Sequence, residues 1–184
     1  MKTFNKIALG GGCHWCTEAV FQSLIGVLKV EQGFVASTET NSAFSEAVII
    51  HFNPEIINLK ILIEIHLHTH KSTSSHSMRN KYRSAVYVFS EKQKIVSKQI
   101  ITSFQSQFKN QLITEVLPFA SFKASREQIQ NYYYSNPEKP FCKAFINPKL
   151  KILLVKFSKY TNQKRLKRLN NEQFKTEYSE QERA

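Results

Sequence analysis

The chain has 184 residues, 41% hydrophobic and 22% charged, a balance that fits one folded domain with one core and excludes a disordered chain. Lysine and arginine number 26 against 14 acids, giving a net charge of +12, and every acid is a glutamate. With no aspartate, an Asp-paired histidine triad, an EF-hand loop and aspartyl-phosphate chemistry are excluded, and only glutamate remains for carboxylate work. No segment approaches a membrane span, and the apolar run ending at Leu9 is too short for a signal peptide. Three cysteines make a poor disulfide framework, so a cytoplasmic protein with reduced thiols is expected.

Taken in chain order, Thr3–Leu9 reads as a strand closed by Gly10, Gly11 and Gly12, and a helix follows from Cys13 to Leu24 until Gly26 breaks it. Val27–Phe34 and Glu46–Phe52 read as strands, the latter from the alternation of Val48, Ile50 and Phe52. Leu59–His66 is a short helix, and residues 67–81, rich in Ser, Thr and His without a period, form a loop. Ser84–Phe89 is a strand. Ser90 caps a helix reaching Phe108, with Gln93 completing a capping box. Ile113–Leu117 is a strand, Ser125–Tyr134 a short helix, and Asn147-Pro148 opens a last helix through Tyr160. This order gives an α/β (α+β) domain over residues 1–160. Residues 161–184 read as a basic, charged C-terminal tail, a solvated surface rather than a specific nucleic-acid site.

The segment Gly10 to Ala19 concentrates the chemistry. Three glycines turn the chain from strand to helix and leave Cys13 at or near the first helical turn, where unpaired N–H groups and the macrodipole favour an anion. A thiolate is the nucleophilic form of cysteine, so the local sequence supplies an activated nucleophile without a separate base. Cys16, three residues on, shares a helix face with Cys13 and is within disulfide reach. A Cys-x-x-Cys pair alone does not decide between redox chemistry, half a zinc site and two buried small hydrophobes.

The run Gly10-Gly-Gly-Cys13-His14-Trp15-Cys16-Thr-Glu18-Ala-Val-Phe21 resembles the signature of the A-type peptide methionine sulfoxide reductases. The resemblance continues in order through Ser45-Glu46-Ala47-Val48, Asn53-Pro54, Lys81-Tyr82-Arg83-Ser84-Ala85, Gln130-Asn131-Tyr132, Asn136-Pro137 and Phe141-Cys142. It implies a single two-layer sandwich with a mixed sheet, flanking helices and a ferredoxin-like core.

The same resemblance implies that Cys13 attacks the sulfoxide sulfur and becomes a sulfenic acid. Glu46 matches a buried acid able to give a proton to the departing oxygen, and Tyr82 and Tyr132 match phenols that hydrogen-bond it. Trp15, with His14 beside it, matches the wall around the substrate methyl group. Cys142, in a flexible segment after Asn-Pro, matches the resolving cysteine, and Cys16 is the other candidate. Substrates would be oxidised proteins, peptides or free methionine sulfoxide. Thioredoxin or another dithiol would be the reductant of a monomer that binds no metal or other cofactor and no membrane.

Several positions depart from the family pattern. His14 replaces Phe, the loop between Phe34 and Glu46 is short and lacks a tyrosine, and Ser77 stands where the family has an aspartate that positions protein substrates. The family's glycine-rich tail with a further cysteine is replaced after Cys142 by the last helix. A catalytically weakened relative is therefore one alternative. A Cys-x-x-Cys thiol-disulfide exchange protein is a second. A zinc site using His66, His68 and His70 is a third, and it requires those residues to be extended so that the imidazoles share a face. A fourth is a binding module using the basic tail on nucleic acid.

Overall fold

The structure, a computed structural model, describes residues 5–169. Its framework is β1 (Asn5–Gly10), α1 (His14–Gln22), β2 (Val27–Ala36), β3 (Ser45–Phe52), α2 (Leu59–Thr69) and β4 (Ala85–Val88). After these come α3 (Glu91–Phe104), β5 (Glu115–Pro118), β6 (Ser121–Ala124), α4 (Tyr132–Ser135) and α5 (Asn147–Lys156). The six strands form one mixed sheet in the order β5-β4-β1-β3-β2-β6, antiparallel throughout except for the parallel β4–β5 pair. The central β4-β1-β3-β2 unit, with α1 crossing from β1 to β2 and α2 from β3 to β4, is the expected ferredoxin-like core.

Strand alternation splits the apolar residues between the two faces. Ile7, Leu9, Val48, Ile50, Phe52, Val86 and Val88 pack with Val20 and Phe21 of α1, Leu62, Ile63 and Ile65 of α2 and Leu150 and Leu153 of α5. Ala8, Val35, Ala47, Ile49, Ala85 and Tyr87 point to the other face, where Phe89, Leu117, Phe119 and Phe122 cover them. Each large side chain sealed in this way contributes about 1.5–3 kcal/mol. The predicted cap at Ser90 forms, its Oγ accepting from Gln93 N–H while Gln93 Oε1 accepts from Phe89 N–H, and Asn58 Oδ1 also caps α2 by accepting from the Ile61 N–H. Gly26, at φ 87°, makes the turn between α1 and β2 with Ile56 and Ile57 pressed against it.

Several boundaries differ from those expected. The second helix continues to Thr69, because Leu67 extends the buried stripe of Ile63 and the Thr69 hydroxyl bonds back to the Ile65 carbonyl. The long helix stops at Phe104, and a 3-10 turn carries the chain through Gln107. The edge strand β6 has no counterpart among the expected elements. The helix expected over 125–134 is instead a short turn and α4, separated by Asn131 in the left-handed region at φ 52°. The last helix ends at Lys156 and is preceded by a wide, π-type turn over Cys142–Ile146. Residues 161–169, expected as the start of the tail, pack on the domain through Leu166 and Leu169, and Thr161 bridges to Leu24. The rest of the tail lies outside the described residues.

Candidate active site

β1 delivers the chain at Gly10 to the top of the central strands, and Cys13 then caps α1, its carbonyl accepting from the N–H groups of Cys16 and Thr17. Gly11 is required by packing. A Cβ there would come within 2.3 Å of the His70 ring, which lies directly beneath the turn. That ring stacks on His66 at 4.0 Å between centroids, Nε2 of His70 meets Ser84 Oγ at 2.8 Å, and Nε2 of His66 meets the Gly10 carbonyl at 2.9 Å. Burial pulls the pKa of His66 down to about 3 and that of His70 well below the usual histidine range, so both rings are neutral supports for the glycine turn.

The Cys13 thiol is half-buried and its pKa is lowered. The largest cause is a hydrogen bond from the Cys16 thiol, opposed by burial and by the charge of Glu46, and assisted by the N–H groups of Trp15 and Cys16. The same hydrogen bond, with burial, drives the Cys16 thiol far above its ordinary range. The Cys16 thiol is thus the donor that favours ionisation of Cys13.

Cys13 and Cys16 open onto a cavity of about 400 Å³ that is also lined by Gly11, His70, Lys71, His76, Met78, Tyr82, Phe141, Phe145 and Lys149. Arg79 braces the wall formed by the 71–82 segment. Its guanidinium donates to the carbonyls of Gly11 at 3.0 Å, Tyr82 at 2.9 Å and Ser74 at 2.9 Å, and also to that of Lys71. The 71–82 segment is thereby tied to the glycine turn, although it carries little regular structure beyond a 3-10 turn at Ser77–Asn80.

The sequence-predicted residues fall into three groups around this cavity. Cys13, Cys16 and Tyr82 line it. Trp15 and Tyr132 form an adjoining aromatic pair, stacked at 4.1 Å and 2°, with Phe141 edge-on to both and Lys139 Nζ 4.0 Å from the centre of the Tyr132 ring. His14 and Glu46 lie behind the nucleophile. His14 is buried against β2, with Nδ1 2.9 Å from the Gly33 carbonyl and its ring edge-on to Phe34, so it supports the site from behind rather than lining it. Glu46 is also buried. It accepts the His14 N–H at 3.0 Å, and Lys81 Nζ lies 3.5 Å from its other oxygen.

Cys142 does not sit in a flexible segment. It is fully buried in the wide turn ahead of α5, its sulfur 3.6 Å from the Asn136 carbonyl, and burial raises its pKa. The three-histidine face does not form either, because α2 remains helical through Thr69. His66 and His70 turn inward while His68 faces Phe108, Gln107 and Lys156. Of the three consecutive tyrosines, Tyr132 joins the aromatic stack, Tyr133 is buried, and Tyr134 bonds Ser23 Oγ beneath Arg165.

Sequence reasoning missed several residues that build this site. Glu18 is a buried carboxylate that accepts from Gln32 Nε2 and from the backbone N–H of Asn131, and burial raises its pKa. Its only signal was its place in the acidic-apolar helix. Arg79 and Lys149 gave none, since a basic chain makes any single cation anonymous.

Residues 5–164 match the family model described as peptide methionine sulfoxide reductase. "Peptide methionine sulfoxide reductase MsrA" of Trichodesmium erythraeum is 34% identical over 165 residues, covering 81% of this chain and 93% of that protein. The crystal structure of Mxr1 from Saccharomyces cerevisiae in reduced form superposes with a TM-score of 0.68 at 22% identity, covering 76% of this chain and 89% of that one. The structure of Mxr1 in complex with Trx2 superposes with a TM-score of 0.57 at 21% identity over 68% of this chain and 83% of that one.

Proposed function

This chain belongs to the peptide methionine sulfoxide reductase family, and from that premise we propose that it reduces methionine-S-sulfoxide to methionine in oxidised proteins, peptides or the free amino acid. The observation that carries the reading is the Cys13 thiol. Cys13 is the N-cap residue of α1, and its thiol, with its pKa lowered, opens onto a cavity large enough for a methionine side chain. The Cys13 thiolate attacks the sulfoxide sulfur, and the oxygen takes up a proton and passes to Cys13. Methionine leaves reduced by two electrons while Cys13 becomes a sulfenic acid. Tyr82 on the cavity wall and Tyr132 beside it are the phenols assigned to the oxygen. Glu46 is the proton source that the resemblance assigns, held behind the nucleophile by the His14 backbone N–H at 3.0 Å and by Lys81 at 3.5 Å. Trp15 holds the apolar wall, and His14 serves by fixing Glu46 and β2.

Cys16 is the first resolving thiol in this scheme. While Cys13 is a thiolate, their mutual hydrogen bond keeps Cys16 protonated. Once Cys13 carries the hydroxyl of a sulfenic acid that constraint is gone, and the charge of Lys149, which favours Cys16 ionisation, acts unopposed by the thiolate. Attack of Cys16 on the sulfenic sulfur forms a Cys13–Cys16 disulfide and releases water. A dithiol then reduces the disulfide and becomes oxidised itself. Thioredoxin is the assigned reductant, supported by the existence of the Mxr1–Trx2 complex. Cys142, buried in the wide turn ahead of α5, serves as the second thiol to which exchange carries the disulfide. No helix of the described residues is long and apolar enough to cross a membrane. A cytoplasmic monomer working without metal, flavin or nicotinamide completes the proposal.

The test is reduction of a peptide containing methionine-S-sulfoxide, driven by dithiothreitol. Turnover by the wild type and none by Cys13→Ser is expected, and equal rates would remove Cys13 as nucleophile. With thioredoxin as reductant, Cys16→Ser is expected to stop cycling after one stoichiometric turnover while Cys142→Ser slows it. The opposite pattern would make Cys142 the resolver.

A further inference from the structure

The cavity above Cys13 is chemically two-sided. Met78, Phe141 and Phe145 give it an apolar side suited to a thioether chain, whereas Lys71 and Lys149 supply two cations. None of its described lining residues is a carboxylate. Lys149 is the informative one, because it is not a loose surface lysine. It is the third residue of α5, partly buried, and its ammonium donates to the Thr69 carbonyl at the C-terminal end of α2. One of its three donors is thereby used and two are left. Burial lowers its pKa, and the Cys13 and Cys16 sulfurs oppose that, which places the ammonium within electrostatic range of the reacting atoms.

A fixed, partly desolvated cation beside a reaction centre interacts strongly with an anion held on the substrate. Resting on the reductase reading above, we propose that Lys149, seconded by Lys71, is a specificity residue that selects methionine sulfoxide carrying a carboxylate next to the reacting side chain. The sulfoxide sulfur meets Cys13, the methylene chain rests on Met78, Phe141 and Phe145, and the carboxylate takes the free donors of Lys149. The same chemistry is available from the α-carboxylate of a free or C-terminal methionine sulfoxide and from an acidic side chain in the following residue.

Rates with dithiothreitol on N-acetyl-methionine-S-sulfoxide and on its N-methylamide test this directly. The acid is expected to have a kcat/KM about tenfold higher than the amide, expressed in KM, and the advantage should shrink in 0.5 M salt. In Lys149→Gln the ratio is expected to fall to about one, with Lys149→Arg retaining part of it. A ratio of one in the wild type, or an unchanged ratio in Lys149→Gln, overturns the proposal. If Lys149→Gln fails to fold, Lys71→Gln and the salt dependence of the wild-type ratio decide the question in its place. A second pair, blocked methionine-S-sulfoxide followed by glutamate or by glutamine amide, separates the two sources of carboxylate. Preference for glutamate points to acidic flanks and no preference to the α-carboxylate. Failure to reduce any of these compounds defeats the reductase reading itself, and this inference with it.

Discussion

Glu18 Oε2, buried on α1, accepts the backbone N–H of Tyr132 at 3.2 Å, and its other oxygen accepts that of Asn131 at 2.8 Å. The helix that presents Cys13 therefore also fixes the start of α4, where the chain takes a left-handed step at Asn131 and sets Tyr132 against Trp15. Gln32 Nε2 closes the arrangement, donating to Glu18 at 2.7 Å and to the Ile129 carbonyl at 3.1 Å. Nucleophile and phenol are held in one frame by a side chain that touches neither the cavity nor the reacting sulfur.

Glu18→Ala removes the acceptor shared by three donors in a partly buried position, which predicts a loss of about 1–3 kcal/mol of stability. Trp15 is the single tryptophan of the chain, so its emission reports on the Tyr132 stack. A changed emission spectrum is expected with a fall in kcat/KM. An unchanged spectrum and rate would show that Tyr132 keeps its place without Glu18.

Gly11 and Gly12 are adjacent yet differ in what a methyl group would meet. At Gly11 it collides with a His70 ring already confined by His66 and Ser84, whereas at Gly12 nothing lies within 4 Å. Gly11→Ala is expected to cost about 1–3 kcal/mol and to displace Cys13, with activity lost in parallel. Gly12→Ala is expected to stay within about 0.5 kcal/mol of the wild type. Denaturant midpoints of the two variants, measured together, check the contrast.

The Cys13–Cys16 pair predicts a separate effect on reactivity. Removing the thiol donor in Cys16→Ala should raise the pKa of Cys13, and Cys16→Ser, which keeps a hydroxyl, should raise it less. The pH dependence of Cys13 alkylation reads this out. A midpoint identical in wild type and Cys16→Ala would leave the helix terminus as the source of activation.

The order of strands and helices was legible because Val48, Ile50 and Phe52 alternate along β3, β4 is a run of strong β formers and α3 carries a recognisable cap at Ser90. Cys13 was legible because glycines at a strand end followed by a cysteine leave few other geometries. The rest was hidden by long-range contacts. Nothing local shows that Glu18 caps a turn more than a hundred residues away, or that Arg79 stitches an irregular loop to Gly11. The histidines 66, 68 and 70 alternate like a strand in sequence. Only the packing of Leu67 carries α2 far enough to separate His68 from the other two. Asn131 broke an expected helix because its left-handed step exposes two N–H groups to Glu18, a partner no window of sequence contains.

The stacked His66–His70 pair sets how the fold responds to acid. Both rings are buried in the neutral form, and the pKa of His66 falls from 6.5 to about 3 in the folded chain. The unfolded chain binds a proton at His66 near pH 6.5 and the folded chain does not, so stability rises with pH in that window. Acidification from about 6.5 toward 3 therefore removes it progressively. Between pH 7 and pH 5 the loss from His66 alone is about 2 kcal/mol. Glu18 acts in the opposite sense, since its raised pKa lets the folded chain take up a proton before the unfolded chain does. That contribution is common to wild type and a His66 variant, and it cancels in their difference. His66→Phe keeps a ring in the same place but cannot titrate or bond the Gly10 carbonyl, so it is expected to be less stable at pH 7 and yet to lose about 2 kcal/mol less on going to pH 5. Urea unfolding at the two pH values gives both numbers. Parallel losses in the two proteins would show that His66 is not the group whose protonation opens the fold.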